Sequence, residues 1–456
     1  MSRYVPPTEP AVLDKLRWWR DLKFGALLHF SAGSQLGGVE SWSLCAEDLP
    51  FTQRTGPHSA DYDQYKKAYE RLPETFDPAA FDAGEWAAAI AGAGMRYAIV
   101  PTKHHDGFCM WDTAETDYKI TGPGCAYTGG DVLRALTTAL RERGLGLGAY
   151  FSKPDWHCDD YWWRYFPTPD RHVNYDRQRY PERWRRYVEF THRQIAEITS
   201  GYGPLDILWL DGGWVRPRGV DTDLHIEHIG TRPGLDQDID MPRLAAIARS
   251  AQPGMLVVDR TVHGPYENYL TPEQGIPGQP LADPWESCVT LGEHWYSATP
   301  DMAYKSVEEV VRLLITAVAR GGNLLLGIGP DSRGRLVPQV RERLAGIGAW
   351  LRTNGEAIYG TRAAEPSEVD GVFFTAAKDG STVYALVPGP ASRVEIPLPG
   401  PIDDVRVLGQ STTRWKARGA AVTVEVNDPH PAGTAIAIRA DGGGFMSTHQ
   451  RAGRAI

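Results

Sequence analysis

PLDILWLDGGW, residues 204–214, predicts a short buried strand that ends in a carboxylate, Asp211. Its apolar run lacks polar alternation, which is typical of a parallel strand covered by helices on both faces. Residues two apart share a face of a strand, so Trp209 and Asp211 point to the same side. Barrel enzymes present catalytic groups at the carboxyl ends of strands. The alternative is that Asp211 caps a helix or accepts a hydrogen bond from a turn amide.

Similar strands alternate with amphipathic helices over most of the chain. The predicted strands are 24–30, 97–103, 146–152, 206–211, 255–260 and 323–328, and the predicted helices lie around 79–92, 130–143, 181–199, 241–251, 306–320 and 336–353. Alternation of this kind predicts parallel pairing, and eight units would close a barrel. Six or seven units can be counted, so we expect an α/β fold with an irregular (β/α)8-like (TIM) barrel. A doubly wound sheet is the alternative, although no GxGxxG follows a strand.

The pattern changes after about residue 360. Short segments with period-two alternation, broken by Gly, Pro and Asp, occur at 372–377, 382–387, 393–396, 405–408, 422–426 and 434–438. They predict a C-terminal antiparallel β-sandwich. The expected organisation is therefore a catalytic barrel over 1–360, a sandwich over 361–441 and a disordered tail over 442–456.

Composition excludes several classes of protein. A formal net charge of -9 argues against nucleic acid as the main partner. The five cysteines are widely spaced without a CxxC pair, which favours reduced thiols and gives no zinc signature. No apolar leader or membrane-spanning stretch is present, so we expect a cytoplasmic protein without a membrane partner, a secreted mature form being the alternative. The sequence does not indicate an oligomeric state.

Polar and aromatic clusters follow several of the predicted strands. They are KHHDGF at 103–108, YFSKPDWH at 150–157 and the pair Asp259-Arg260. The adjacent histidines make a poor metal site, because neighbours on an extended chain point to opposite faces. We interpret them as groups that bind ligand hydroxyls, a structural histidine pair being the alternative. Agreement among several strand ends predicts a site for a polyhydroxylated ligand at the carboxyl rim of the barrel.

Two glutamates, Glu273 and Glu286, lie in the predicted loop beyond Arg260. Glycoside hydrolysis requires two carboxyl groups, one ionised and one kept protonated by its surroundings. Asp211 with either glutamate would supply that pair. Each glutamate could instead be a solvated loop acid or a partner of Arg260, and the residues alone do not decide between them.

Seven motifs occur in an order that resembles the α-L-fucosidases of glycoside hydrolase family 29. They are His-Phe at 29–30, KHHDGF at 103–108, YFSKPDWH at 150–157, WLDGGW at 209–214, TPE at 271–273, WES at 285–287 and GGNLLLGIGP at 321–330. The similarity runs from about Trp18 through Tyr359. It implies a barrel with a C-terminal β-sandwich and a retaining mechanism that needs no metal or cofactor.

The resemblance also assigns expected roles. Asp211 would be the nucleophile and Glu273 the general acid/base, with Glu286 as second choice. The family's fucose-binding positions fall on His29, His104, His105, Tyr150, Trp209 and Arg260. Trp156, in the cluster at 150–157, and Glu286 complete the substrate-binding residues that we expect.

Fucosylated oligosaccharides or glycoconjugates would be the substrates. SKPDWH, DGGW and TPEQGIP resemble the subgroup that cleaves α-1,3/1,4-linked fucose from Lewis-type glycans. The alternatives are a barrel glycosidase for another sugar such as galactose, an inactive carbohydrate-binding protein and a metal-dependent barrel hydrolase.

Overall fold

The computed structural model describes residues 4–37, 41–47, 49–222, 236–296, 299–398, 402–419 and 421–439. The predicted tail at 442–456 lies outside these ranges. Among the described helices, none is both long and apolar enough to cross a membrane.

Seven parallel strands form the central sheet. They are β1 (Phe24–Leu28), β2 (Tyr97–Lys103), β3 (Gly146–Ser152), β4 (Ile207–Asp211), β5 (Leu256–Asp259), β6 (Glu286–Thr290) and β7 (Asn323–Ile328). Their order is β5-β4-β3-β2-β1-β7-β6, so each strand lies beside its predecessor in the chain except at the step from β5 to β6. This order is that of a curled, barrel-like sheet and excludes the doubly wound alternative, in which strand order reverses. The predicted parallel sheet is confirmed, with seven described strands instead of eight.

Segment 266–274 lies between the two sheet edges and is hydrogen-bonded to both. On one side the Asn268 amide donates to the Val257 carbonyl of β5 at 3.0 Å. On the other, the Glu286 amide of β6 donates to the Leu270 carbonyl at 2.9 Å. An extended segment thus takes the place of a regular crossover between β5 and β6, and we call it the seam.

Eight α-helices accompany the described strands. They are α1 (Pro10–Leu22), α2 (Tyr62–Glu70), α3 (Ala83–Gly92), α4 (Val132–Glu142), α5 (Pro181–Gly201), α6 (Met241–Ala251), α7 (Val307–Ala319) and α8 (Pro338–Asn354). Local sequence sets several of their starts: Asp82 and Asp131 cap α3 and α4, and Ser306 with Glu309 forms a capping box at α7. The six predicted helices are present, whereas α1 and α2 were not predicted.

Helix α1 covers the amino-terminal end of the sheet's interior. Trp19 stacks on Tyr269 with ring centroids 4.0 Å apart, and its carbonyl accepts a hydrogen bond from Asn323 at the start of β7. Tyr97, Trp209 and other residues of the interior belong to the same core cluster. The opposite, carboxyl end is left open for the site.

Two antiparallel sheets follow α8. One has the order β12-β15-β10-β9-β8 and the other β11-β14-β13, from strands β8 (Arg362–Val369), β9 (Val372–Ala376), β10 (Thr382–Val387), β11 (Arg393–Pro397), β12 (Asp404–Val407), β13 (Arg414–Arg418), β14 (Ala421–Glu425) and β15 (Thr434–Arg439). Residues of both sheets share one buried cluster, as expected of a sandwich core. Six of these strands were predicted, and β8 and β13 were not.

Candidate active site

The carboxyl ends of the parallel strands open into one cavity of about 550 Å³. Eight of the site residues predicted from the sequence line it. Glu273 is one, and the other seven come from β1 to β5 or the positions just after them: His29, His104, His105, Tyr150, Trp209, Asp211 and Arg260. Side chains more than 200 residues apart in the chain meet there because parallel strands end at the same rim.

Asp211 is held by three donors. The Tyr150 hydroxyl donates to Oδ2 at 2.8 Å, while Arg260 Nη1 and the Gly212 amide donate to Oδ1 at 3.1 Å and 2.8 Å. His105 Nε2 lies 3.9 Å from Oδ2. Only 16% of the Asp211 side chain is exposed. The carboxylate is therefore fixed in direction, with one side open to the cavity.

Burial by itself would raise the pKa of Asp211. The Arg260 guanidinium, helped by the Tyr150 hydroxyl, outweighs burial and lowers the pKa below its ordinary value, so the carboxylate is ionised at neutral pH. Burial, and then the neighbouring His104, lowers the pKa of His105 well below its usual range. Neutral His105 accepts from or donates to the Ser152 hydroxyl at 2.9 Å through Nδ1. Its Nε2 is left for a ligand.

Glu273 lies on the seam and lines the same cavity. Its carboxylate contacts Arg260 Nη2, so one guanidinium contacts both Asp211 and Glu273. About 40% of the Glu273 side chain is exposed, which leaves it accessible to a bound molecule and to water.

Glu286 does not line the cavity formed by the described residues, and it is not a loop acid. It begins β6, is 0% exposed and accepts a hydrogen bond from the buried Tyr97 hydroxyl. Burial raises its pKa to about 7. A raised pKa suits a general acid, but Glu286 lies one interior layer below Cys288, the β6 residue that does reach the cavity. The prediction that Glu286 lies in a loop is wrong, while its role in substrate binding stays a prediction.

Trp156 also lies behind the cavity wall. It stacks on Trp162 at 4.9 Å, meets Trp42 edge-on at 5.4 Å and donates from Nε1 to the Arg171 carbonyl. Of the described residues that do line the cavity, sequence reasoning gave no role to Trp42, Arg171, Trp214 and Trp295. Trp214 stood inside a quoted motif, but Arg171 lies in an irregular segment with no periodic signal.

His104, His105 and Asp211 offer donor atoms within 4.8 Å of one another, a spacing that a metal ion could use. Both Asp211 oxygens already accept hydrogen bonds, and the Arg260 cation lies beside them. A second positive charge is disfavoured at such a carboxylate. The donors and acceptors fit neutral sugar hydroxyls better.

A sequence model of the α-L-fucosidase family matches residues 1–356. The chain belongs to the α-L-fucosidases of glycoside hydrolase family 29. It is 27% identical over 389 residues to the α-L-fucosidase of Dictyostelium discoideum, covering 81% of this chain and 77% of that protein. Human tissue α-L-fucosidase is 29% identical over 390 residues, covering 81% and 74%.

Solved α-L-fucosidases share the fold. Isoenzyme 1 of Paenibacillus thiaminolyticus superimposes with a TM-score of 0.74 at 27% identity, covering 95% of this chain and 100% of that one. A family 29 enzyme of Bacteroides thetaiotaomicron gives 0.73 at 21% identity, covering 97% of each chain. Membership makes the chain a glycoside hydrolase of the α-L-fucosidase type, with fucosylated glycans as its substrate class.

Proposed function

We propose that the chain is a retaining exo-α-L-fucosidase that acts through a covalent fucosyl intermediate on Asp211. The carrying observation is that the ionised Asp211 carboxylate shares the Arg260 guanidinium with the accessible Glu273 carboxylate. Retaining glycosidases hold their two carboxyl groups about 5–5.5 Å apart, and inverting enzymes about 6.5–9.5 Å. Asp211 and Glu273 contact the two terminal nitrogens of the same guanidinium, Nη1 and Nη2 of Arg260. This closeness of the two carboxyl groups supports the retaining arrangement.

In this mechanism Asp211 attacks the anomeric carbon while Glu273 protonates the departing glycosidic oxygen. Glu273 then takes a proton from water, which attacks the same carbon and releases fucose and Asp211. His29, His104 and neutral His105 would bind hydroxyls, and Trp209 supplies an apolar floor. Arg260 would leave Glu273 for part of this cycle, because the acid must carry a proton when the bond breaks.

A fluorinated fucosyl fluoride tests the nucleophile. We expect the probe to add one fluorofucosyl group to Asp211, located by peptide mapping, and Asp211→Gly to abolish both labelling and turnover with an unchanged circular dichroism spectrum. Labelling of any other residue would contradict the assignment.

Azide rescue tests the acid/base. Glu273→Ala should lose activity on glycosides with poor leaving groups, and azide should restore turnover of an activated fucoside with fucosyl azide as product. Glu286→Ala is the matched control and should show no azide rescue. Rescue of the Glu286 variant alone would exchange the two roles.

We also propose a preference for α-1,3/1,4-linked fucose on Lewis-type glycans, supported by the resemblance at 152–157, 211–214 and 271–277. Comparing kcat/KM for α-1,3-, α-1,4- and α-1,2-linked fucosides with that for an aryl fucoside tests it. A preference for the α-1,2 linkage or the aryl fucoside would refute it.

We propose a cytoplasmic location too, supported by five cysteines that are all free. Cell fractionation checks it.

A further inference from the structure

The outer wall of the cavity contains a buried cation, Arg171, that is held by a carboxylate and two indoles. The Arg171 guanidinium carbon lies 4.7 Å and 5.2 Å from the ring centroids of Trp42 and Trp214, and these centroids are 5.4 Å apart, so both indoles flank the cation on the same side. Glu47 accepts from Arg171 Nε at 2.8 Å and from Nη2 at 2.6 Å. Only 4% of the Arg171 side chain is exposed.

The backbone of Arg171 is fixed as well. Its amide donates to Glu47 at 2.9 Å, and its carbonyl accepts from Trp156 Nε1 at 3.2 Å and from the Tyr161 hydroxyl at 2.9 Å. The Tyr161 hydroxyl in turn accepts from Trp214 Nε1 at 3.1 Å. Loops that follow β1, β3 and β4 are thereby joined around one guanidinium.

This arrangement leaves one edge of the guanidinium for a ligand. The two indoles lie on one side of the guanidinium, and the Nε–Nη2 edge is taken by Glu47. Since Arg171 nonetheless lines the cavity, the Nη1 edge is the part that can face it. A guanidinium fixed in this way loses little side-chain entropy when it donates to an acceptor.

The position of Arg171 lies between the cavity floor and its rim. Trp42 meets His105 of the floor edge-on at 5.2 Å and Phe51 of the rim at 5.1 Å. Phe51 is 38% exposed. A fucosyl ring held by the floor histidines and Asp211 would therefore direct its neighbouring sugar along this wall.

We propose that Arg171 binds the sugar that carries the fucose, donating from Nη1 to an acceptor oxygen of that sugar, with an N-acetyl carbonyl as the preferred acceptor. The carbonyl is favoured because it is a stronger acceptor than a hydroxyl and lies on the flank of the ring, where a planar donor beside the indoles can meet it. Arg171 is thus a specificity-determining residue outside the fucose-binding floor. The inference rests on the proposed fucosidase function.

Three substrates separate the two parts of the site. Fucosyl fluoride has a one-atom leaving group that cannot reach Arg171. Fucose α-1,3-linked to glucose adds a second ring, and fucose α-1,3-linked to N-acetylglucosamine adds the carbonyl. We expect Arg171→Met to lower kcat/KM about 10- to 100-fold for the N-acetylated disaccharide, less for the glucose analogue, and within about twofold for fucosyl fluoride.

The double variant E47Q/R171M is the control for destabilisation, because it leaves no unpaired buried carboxylate. It should show the same substrate pattern as Arg171→Met. E47Q alone keeps the guanidinium and should retain the N-acetyl preference. Arg164→Met changes a 70%-exposed arginine of the same loop and should affect no substrate.

Equal losses on all three substrates, or no loss on the disaccharides, would overturn the inference. If the parent enzyme hydrolyses fucosyl fluoride but neither disaccharide, the inference fails while the proposed function stands. Failure on every fucoside would remove the proposed function itself.

Discussion

Tyr150→Phe is the sharpest test of how the nucleophile is supported. The substitution removes only the hydroxyl that donates to Asp211 Oδ2 at 2.8 Å. The ring contacts with His104 (5.6 Å, nearly parallel) and Trp209 (5.4 Å) can remain. A hydrogen bond to a charged group contributes about 1.5–3 kcal/mol. That energy stabilises the carboxylate both in the free enzyme and as it leaves the fucosyl intermediate.

Departure of Asp211 is the step in which this negative charge develops. Loss of the bond should therefore slow hydrolysis of the intermediate about 10- to 150-fold, at 1.36 kcal/mol per tenfold change in rate. We would trap the enzyme with 2-fluoro-fucosyl fluoride, remove excess reagent and follow the return of the unlabelled mass by intact-protein mass spectrometry. This assay isolates the second step from substrate binding.

The pH profile provides an independent readout. The Tyr150 hydroxyl is one of the groups that lower the pKa of Asp211, so its removal raises that pKa. Attack requires ionised Asp211, and the acid limb of kcat/KM should move to higher pH. Tyr202→Phe is the matched control, because that hydroxyl donates to Asp131 at 2.6 Å outside the cavity. Reactivation at the parent rate in Tyr150→Phe would refute the reasoning.

Two further predictions concern buried charges near the site. Burial raises the folded-state pKa of Glu286 to about 7 from an ordinary 4.5, so its contribution to stability is present at low pH and is lost as pH rises from about 4.5 through 7. Glu286→Gln should remove this pH dependence, and above pH 7 its free energy of unfolding should exceed that of the parent by roughly 3 kcal/mol. Urea titrations at pH 5 and pH 8 check this, and an identical pH dependence in both proteins would contradict it. Lys153→Met should lower the free energy of unfolding by about 3–5 kcal/mol, because Lys153 is 0% exposed and pairs with the buried Asp259 at 2.5 Å. Denaturant titration measures this change. A loss below about 1 kcal/mol would show that Asp259 finds another partner.

The sequence predicted those parts of the fold in which the apolar pattern of a segment matches its burial in the structure. β4 was placed by its unbroken apolar run, and its last residue reaches the cavity as expected. β6 was missed because ESCVT, residues 286–290, begins with a charged and a hydroxyl residue that resemble a loop. Only the tertiary structure supplies the Tyr97 hydroxyl that makes a buried carboxyl at Glu286 tolerable.

The site was predicted in a similar way. Residues at strand ends were found because strand ends converge, whatever the details of the loops. Arg171 and Trp42 lie in irregular segments whose paths depend on contacts such as the Glu47 pair. Trp156 was assigned to the ligand because an exposed and a buried tryptophan look alike in a sequence.

The seam has a consequence for the order of events during refolding. Glu273 reaches the cavity on a segment that is hydrogen-bonded to β5 on one side and β6 on the other. β6 is held in turn by β7, which pairs with β1 about 300 residues earlier in the chain. Contacts of such long range form late, because loop-closure entropy must be overcome first. Most helical ellipticity should therefore return before fucoside hydrolysis does, so that regained turnover reports the moment at which the two ends of the sheet are joined.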